Sequence, residues 1–330
     1  MTTAKNNFYS GKRVLVTGGA GFVGSYLVEK LVVMGARVTV PARPKTKTVF
    51  LDNIKNCIEI IIADLNDWQN ALRITKNKDI VMHLAAVTGG LHYNIRKPDS
   101  YLFRENILPF MNTIEAARLN NVERFLTVSS ACVYPRYCSI PTPENEGFKD
   151  IPEPTSLGYG WAKRMQEFLS FSYAEDYGMK IAIARPYNTY GPRDNFDPKF
   201  SHAIPAIIKR VFDDENPLIV WGNGEQSRSF IYVDDFARGL LETAEKYPAA
   251  DPLNIGSPEE IKIKDLVKLI VKLSGKKTKI VFDETKPIGQ PRRKCDNRKA
   301  KEKIGFEAKI GLKEGITKTI QWYKSIIKNE

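Results

Sequence analysis

The stretch K-R-V-L-V-T-G-G-A-G-F-V-G-S-Y-L-V-E-K-L, Lys12 to Leu31, limits what this chain can fold into more than any other. Arg13 to Thr17 reads as a short buried strand, Gly18 to Gly24 as a glycine turn, and Phe22 to Met34 as an amphipathic helix with Val23, Leu27, Leu31 and Met34 on one face. Glycines at this spacing make a tight turn, let backbone approach a pyrophosphate, and pack helix against strand, with the phosphates at the positive helix end. The strand before and the helix after satisfy the context that gives such a motif meaning. Gly18, Gly21, Phe22, Val23 and Gly24 are therefore expected to hold a dinucleotide.

The same alternation continues. Ala36 to Val40, Ile58 to Ile62, Asp79 to Leu84, Phe125 to Ser129 and Lys180 to Arg185 read as strands, with helices over Ser100 to Asn120 and Thr155 to Tyr177. Strand and helix in alternation imply right-handed crossovers and a parallel sheet. The expected fold class is α/β: a Rossmann-type doubly wound parallel sheet with a smaller α/β substrate domain. Beyond Arg185 the proline- and glycine-rich run R-P-Y-N-T-Y-G-P-R-D-N-F-D-P-K-F reads as a long loop. Phe230 to Tyr247 and Pro252 to Gly256 read as a helix and a strand returning to the sheet. The dinucleotide domain is thus expected over 1–186 plus roughly 230–256, and the second domain over 187–229 and 257–330.

Further side chains follow from this frame. An acid at the end of the second strand would bind a ribose 2′-hydroxyl, whereas an arginine accommodates a 2′-phosphate. Here Ala42 stands where the acid is expected and Arg43 beside it, which favours NADP over NAD. Asp64, before Leu65, is placed either to bond an adenine amino group or to cap the next helix. Ala85 and Ala86 would let backbone lie against the cofactor; His83 reads as a buried partner of its strand. Tyr159 and Lys163, four apart on a helix, project from one face. A free phenol titrates near ~10, and a neighbouring ammonium favours its ionised form, so Tyr159 can act as general acid or base. Ser130, at a strand end, would lie across the same cleft.

Fifty basic against thirty-eight acidic residues give a net charge of +12, which suits an anionic ligand. The lysines near the C-terminus alternate with apolar residues at helical spacing and read as a solvated face, not a nucleic-acid surface. No run is long and apolar enough for a membrane span, and a secretory leader is absent from the opening residues, so a cytoplasmic location is the expectation. The four cysteines lack zinc-ligand spacing, and no metal site is expected.

The motifs T-G-G-A-G-F-V-G, S-S-A-C-V-Y-P, Y-G-W-A-K, R-P-Y-N-T-Y-G-P and V-W-G-N-G-E-Q-S-R-S-F-I-Y-V-D-D, in order over nearly the whole chain, resemble the extended short-chain dehydrogenase/reductase family acting on nucleotide sugars. The resemblance implies a nicotinamide cofactor exchanging hydride with a sugar carbon, with Ser130, Tyr159 and Lys163 as catalytic triad and Lys163 also on the nicotinamide ribose. Within the family the chain is most similar to the GDP-L-fucose synthase branch. That likeness implies an epimerising acid–base pair, Cys132 and His202. It also implies Asn188, Arg228 and Arg292 as ligands of the diphosphate side, Arg293 sharing that role, Trp221 near the base, a nucleotide-sugar substrate, and a homodimer through the helices of Ser100–Asn120 and Ser156–Tyr177. GDP-mannose 3,5-epimerases and UDP-sugar 4-epimerases are the alternatives; the former use a lysine where His202 stands, the latter share the glycine turn more closely. A dehydratase would carry Asp-Glu where Ala131 and Cys132 stand. A non-enzymatic dinucleotide sensor or scaffold would have no use for the triad.

Overall fold

The computed structural model describes residues 7–328. The chain opens with β1 (Arg13–Thr17), α1 (Phe22–Val33), β2 (Arg37–Ala42), β3 (Ile58–Ile62), α2 (Trp68–Thr75), β4 (Ile80–His83), α3 (Leu91–Arg96), α4 (Asp99–Leu119), β5 (Arg124–Val128), α5 (Leu157–Tyr177) and β6 (Ile181–Pro186). It then leaves the main sheet for β7 (Asn188–Tyr190), α6 (Ala203–Phe212), β8 (Leu218–Trp221) and β9 (Ser227–Tyr232). It returns for α7 (Val233–Lys246) and β10 (Ala249–Ile255), and closes with β11 (Glu260–Lys262), α8 (Ile263–Ser274), β12 (Ile280–Asp283), β13 (Arg292–Arg293), α9 (Arg298–Ile304) and α10 (Leu312–Ile327).

Seven strands form one sheet in the order β10-β6-β5-β4-β1-β2-β3. Every pair is parallel. The order reverses between β1 and β4, and a crevice opens at the carboxyl ends of strands at such a point. Residue-by-residue alternation along β1 shows why the strands are apolar throughout. Val14 and Val16 face a cluster with Leu27, Leu31, Phe236 and Leu240, while Leu15 between them faces another with Ile74, Phe110, Ile114 and Phe125. Both faces are covered by helices, so neither parity can be polar. Each fully buried aliphatic side chain there contributes about 1.5–3 kcal/mol of transfer free energy. A third cluster, including Ile204, Ile208, Leu266, Ile270 and Ile316, forms the core of the smaller lobe.

In the smaller lobe β7, β11 and β13 each pair with β9, and β8 pairs with β12. This corrects two expectations. Asn188–Tyr190, read as loop, is a strand; Phe230–Tyr232, read as the start of a helix, is the end of β9, its residues matched to β7 from Asn188↔Phe230 to Tyr190↔Tyr232. The rings of Phe230 and Tyr232 meet that of Tyr190 edge-on at 6.1 and 5.8 Å, so packing between the strands overrides the helical pattern that begins only at Val233. The end of the chain also departs from the expected division. Ala300, Ile304 and Phe306, on and after α9, pack in the cluster against the large sheet. Among the described residues no helix is long and apolar enough to cross a membrane, and no group of metal-binding side chains gathers.

Candidate active site

The turn after β1 is built as the glycines require. Gly18 has φ +69°, and a Cβ there would lie 3.0 Å from the backbone nitrogen of Ala85. A Cβ on Gly24 would stand 2.1 Å from the carbonyl oxygen of Gly18, so any side chain at 24 would force the helix off the turn. α1 starts at Phe22 with no side-chain cap and no acid in its first turn. Its first N–H groups and dipole are free for an anion. This cradle fits a dinucleotide pyrophosphate.

From the turn a cavity of about 1360 Å³ runs along the carboxyl edge of the sheet and under the smaller lobe. Pockets for a single ligand run to about 1,000 Å³; this one has room for a cofactor and a substrate together. Gly18, Gly21, Phe22, Val23, Gly24, Arg43, Asp64, Leu65, Ala85 and Ala86 line one arm, and Asn188, His202, Trp221 and Arg228 the other. Ser130, Cys132, Tyr159 and Lys163 lie in the wall between. At the far end of the first arm the wall from β2 is Pro41, Ala42, Arg43, Thr46 and Phe50, with no carboxylate. Asp64 accepts only the nearby Asn66 N–H, at 3.0 Å, and the cap of α2 is Asp67, whose Oδ1 accepts from Gln69 N at 2.8 Å. The capping alternative for Asp64 is thereby removed.

Tyr159 and Lys163 share a face of α5, as their spacing requires, but their electrostatics differ from the expectation. Burial pushes the Tyr159 phenol up, with the Cys132 thiol adding to that shift and the nearby hydroxyls of Ser130 and Thr88 opposing it. The Lys163 ammonium lies over the ring, 5.7 Å from its centre, and donates to Val128 O at 2.7 Å and Gln166 Oε1 at 3.0 Å. Burial lowers Lys163 to about 7, with Glu167 and then Cys132 opposing that shift. The pair is assembled, but at the phenol desolvation dominates and the ammonium is not among the influences that lower it.

Cys132 follows Ser130 in a short turn, its N–H donating to Ser130 Oγ at 3.1 Å, and its Sγ lies 4.0 Å from Arg293 Nη1. His202 occupies the N-cap position of α6, yet its side chain caps nothing. Its side chain is exposed on the cavity, and desolvation by the protein packed about that opening lowers its pKa. Arg228 is deeply placed and donates to Ser227 O at 2.7 Å; burial and the neighbouring Arg293 both disfavour its charge. Two cations crowd one wall there, and an anion between them would relieve the strain. Arg292 does not belong to this wall. On the two-residue strand β13 its side chain points the other way from Arg293 and grips Glu260 through Nε at 2.7 Å and Nη2 at 2.9 Å. The assignment of Arg292 to the substrate is thus corrected: strand alternation puts Arg293 in the cavity and Arg292 at the surface.

Several contributors went unread. Thr88 reaches Tyr159; the only signal for it was a small hydroxyl in the loop after β4. Asn106, buried on α4, accepts from Val87 N at 2.9 Å and donates to Val87 O at 2.9 Å, fixing the loop that bears Ala85 and Ala86. Asp194 is buried in the cavity wall, its Oδ2 without a partner, and burial pushes it up to about 7. His83 is wholly buried beside Phe110, held neutral with its pKa lowered to about 3, and does not line the cavity.

Comparison with known proteins decides the family: the profile described as NAD dependent epimerase/dehydratase family matches residues 14–256. The chain belongs to the NAD dependent epimerase/dehydratase family. It is an enzyme of the short-chain dehydrogenase/reductase type with the fold of nucleotide-sugar epimerases. It is 31% identical over 318 residues to a probable GDP-L-fucose synthase of Oryza sativa subsp. japonica, covering 95% of this chain and 92% of that protein. It is also 31% identical over 321 residues to a GDP-mannose 3,5-epimerase of Arabidopsis thaliana, covering 96% and 84%. The UDP-glucose 4-epimerase of Thermotoga maritima, solved with UDP-glucose, superposes with a TM-score of 0.86 at 29% identity, covering 96% of this chain and 99% of that one. In this epimerase/dehydratase the glycine cradle has a shape that fits the dinucleotide named in the family's description.

Proposed function

We propose that this chain binds NADP and a GDP-linked 4-keto sugar, epimerises carbons beside the ketone, and reduces C4. The reading is carried by one observation: Cys132 and His202 line the same cavity as Ser130, Tyr159 and Lys163. The carboxylate-free wall around Arg43 favours the 2′-phosphate of NADP, and the crowding of Arg228 and Arg293 favours a diphosphate. The likeness to proteins named GDP-L-fucose synthase supports the guanine nucleotide.

A bound reduced dinucleotide would supply the hydride. The residues do the rest. Arg228 and Arg293 hold the diphosphate. One of Cys132 and His202 removes a proton from carbon next to the ketone, and the other returns one to the opposite face; a C–H in that position is acidic enough once the developing oxyanion is hydrogen-bonded. Ser130 and Tyr159 supply that bond, and Tyr159 gives its proton to O4 during reduction. Lys163 would hold the nicotinamide ribose. The large-sheet part would carry the dinucleotide and the smaller lobe the nucleotide sugar. Two copies would pair through α4 and α5, where Met111 and Phe168 are 48% and 52% exposed, a dimer that light scattering can test.

The test is incubation with GDP-4-keto-6-deoxymannose and NADPH in deuterated water, repeated with UDP- and dTDP-sugars. Deuterium at C3 and C5 reports epimerisation; NADPH loss reports reduction. Interconversion of UDP-glucose and UDP-galactose without net cofactor use would favour a 4-epimerase, the reading supported by the Thermotoga maritima likeness. No turnover of any of them would sink the proposal.

A further inference from the structure

The last two residues of β5 and the one after it are each fastened to α5. Thr127 Oγ1 lies 2.8 Å from Ser170 Oγ, and Val128 O accepts from Lys163 Nζ at 2.7 Å. Ser129 Oγ donates to Glu167, and the next residue, Ser130, lies close enough to Tyr159 to act on its phenol. On the helix Tyr159, Lys163, Glu167 and Ser170 are spaced by four, four and three residues and so share a face. Tyr159, Lys163 and Ser130 already have parts in the reaction; Glu167 has none.

Glu167 is wholly buried, and so is its partner: the side-chain exposures of Arg185 and Glu167 are 1% and 0%. Arg185, on the adjoining strand β6, donates through Nε to Oε1 at 2.8 Å and through Nη2 to Oε2 at 2.7 Å. Its Nη1 also donates to Tyr134 Oη at 3.0 Å and Glu144 O at 2.6 Å. An ion pair this deep typically adds little stability over a well-packed apolar pair, because desolvation consumes the attraction. Its usefulness must then be sought in what it holds.

We propose that Glu167 is a positioning residue: anchored by Arg185, it clamps Ser129 so that Ser130 presents its hydroxyl to Tyr159, and, one helical turn beyond Lys163 on the same face, it sets a carboxylate next to that buried amine. This rests on the reading of Ser130, Tyr159 and Lys163 as the proton-transfer set. The groups facing Lys163 are Glu167 and the Tyr159 ring from its own helix, Cys132 from the turn after β5, and the neutral His83 from β4; Arg185 from β6 faces Glu167. Of these, Glu167 is the foremost influence favouring the charged amine. Without it Lys163 gives up its proton at lower pH, and any step needing the ammonium fails at lower pH.

The clamp and the charge separate in different variants. Ser129→Ala cuts the clamp and keeps the ion pair. Glu167→Gln with Arg185→Met removes the carboxylate without stranding a buried guanidinium. Lysine-selective ¹³C NMR, assigned with Lys163→Met, follows the Lys163 titration with no substrate present. In the double variant its midpoint should fall by about one pH unit, and the alkaline limb of kcat should move with it. Ser129→Ala should lower kcat by about tenfold with KM and the Lys163 midpoint unchanged. An unmoved midpoint in the double variant overturns the charge role, and an unchanged kcat in Ser129→Ala overturns the clamp. A shifted midpoint in a protein that turns over none of the sugars counts against the proposed substrate, not against Glu167.

Discussion

Lys163 Nζ reaches from α5 to the carbonyl oxygen of Val128, 2.7 Å away at the last residue of β5. The ammonium thus ties the helix bearing Tyr159 to the strand that leads into Ser130 and Cys132. The placing of Ser130 and Cys132 against Tyr159 is thus held by a junction between two regular elements.

Cys132→Ser should abolish deuterium uptake beside the ketone and leave dinucleotide binding intact, since the glycine cradle lies elsewhere in the cavity. His202→Asn should do the same, because its side chain caps no helix whose loss would confuse the result. Mass spectrometry of recovered sugar nucleotide, with calorimetry for NADPH, checks both. Undiminished exchange in either variant removes that residue from the mechanism.

Arg43→Ala should weaken NADPH binding by about tenfold, in line with loss of a charge-assisted contact to phosphate, and leave NADH binding unchanged. The measurement is a fluorescence titration with each nucleotide. Equal losses for both would mean that Arg43 does not face the 2′-position.

Arg228→Met and Arg293→Met should each raise the dissociation constant for GDP, whereas Arg292→Met should not. Arg292 and Glu260 form a pair near the surface, so its loss should cost no more than about 1 kcal/mol in urea unfolding. A drop in GDP affinity for Arg292→Met would restore it to the substrate site.

Asp194 gives a pH test of stability. Its folded pKa, about 7, lies above the ordinary carboxyl value of 3.8. Between those two values the folded chain holds a proton that the unfolded chain has lost, so this group makes stability fall as pH rises. Asp194→Asn should remove that slope and leave the variant more stable than the parent at pH about 8, by on the order of 1–3 kcal/mol. Urea unfolding at pH about 5 and about 8 reads the difference; parallel curves would place a proton partner beside Asp194.

The parts of this protein that could be read from sequence are those where one short pattern has one physical solution. Gly18 and Gly24 are such a case, because a Cβ at either would collide with backbone. Tyr159 and Lys163 are another, since four residues on a helix leave no choice of face. What stayed hidden depends on neighbours distant in the chain. Arg292 and Arg293 are chemically alike, and only the pairing of β13 with β9 decides which one faces the cavity. Phe230–Tyr232 continue smoothly into a helical pattern, and only Tyr190 across β7 makes them a strand. The depth of Lys163 was equally invisible, and with it the outcome of the contest between desolvation and charge at the phenol.

The seventh strand of the main sheet comes from residues 249–255, after the chain has already visited the smaller lobe. A polypeptide ending at 186 would therefore expose β6 as a bare, sticky border and lack α7, whose Phe236 and Leu240 cover one side of the sheet. Neither half can be harvested intact by proteolysis or truncation. The two lobes are therefore not separable lengths of chain, and a border between them in space is not a border in sequence.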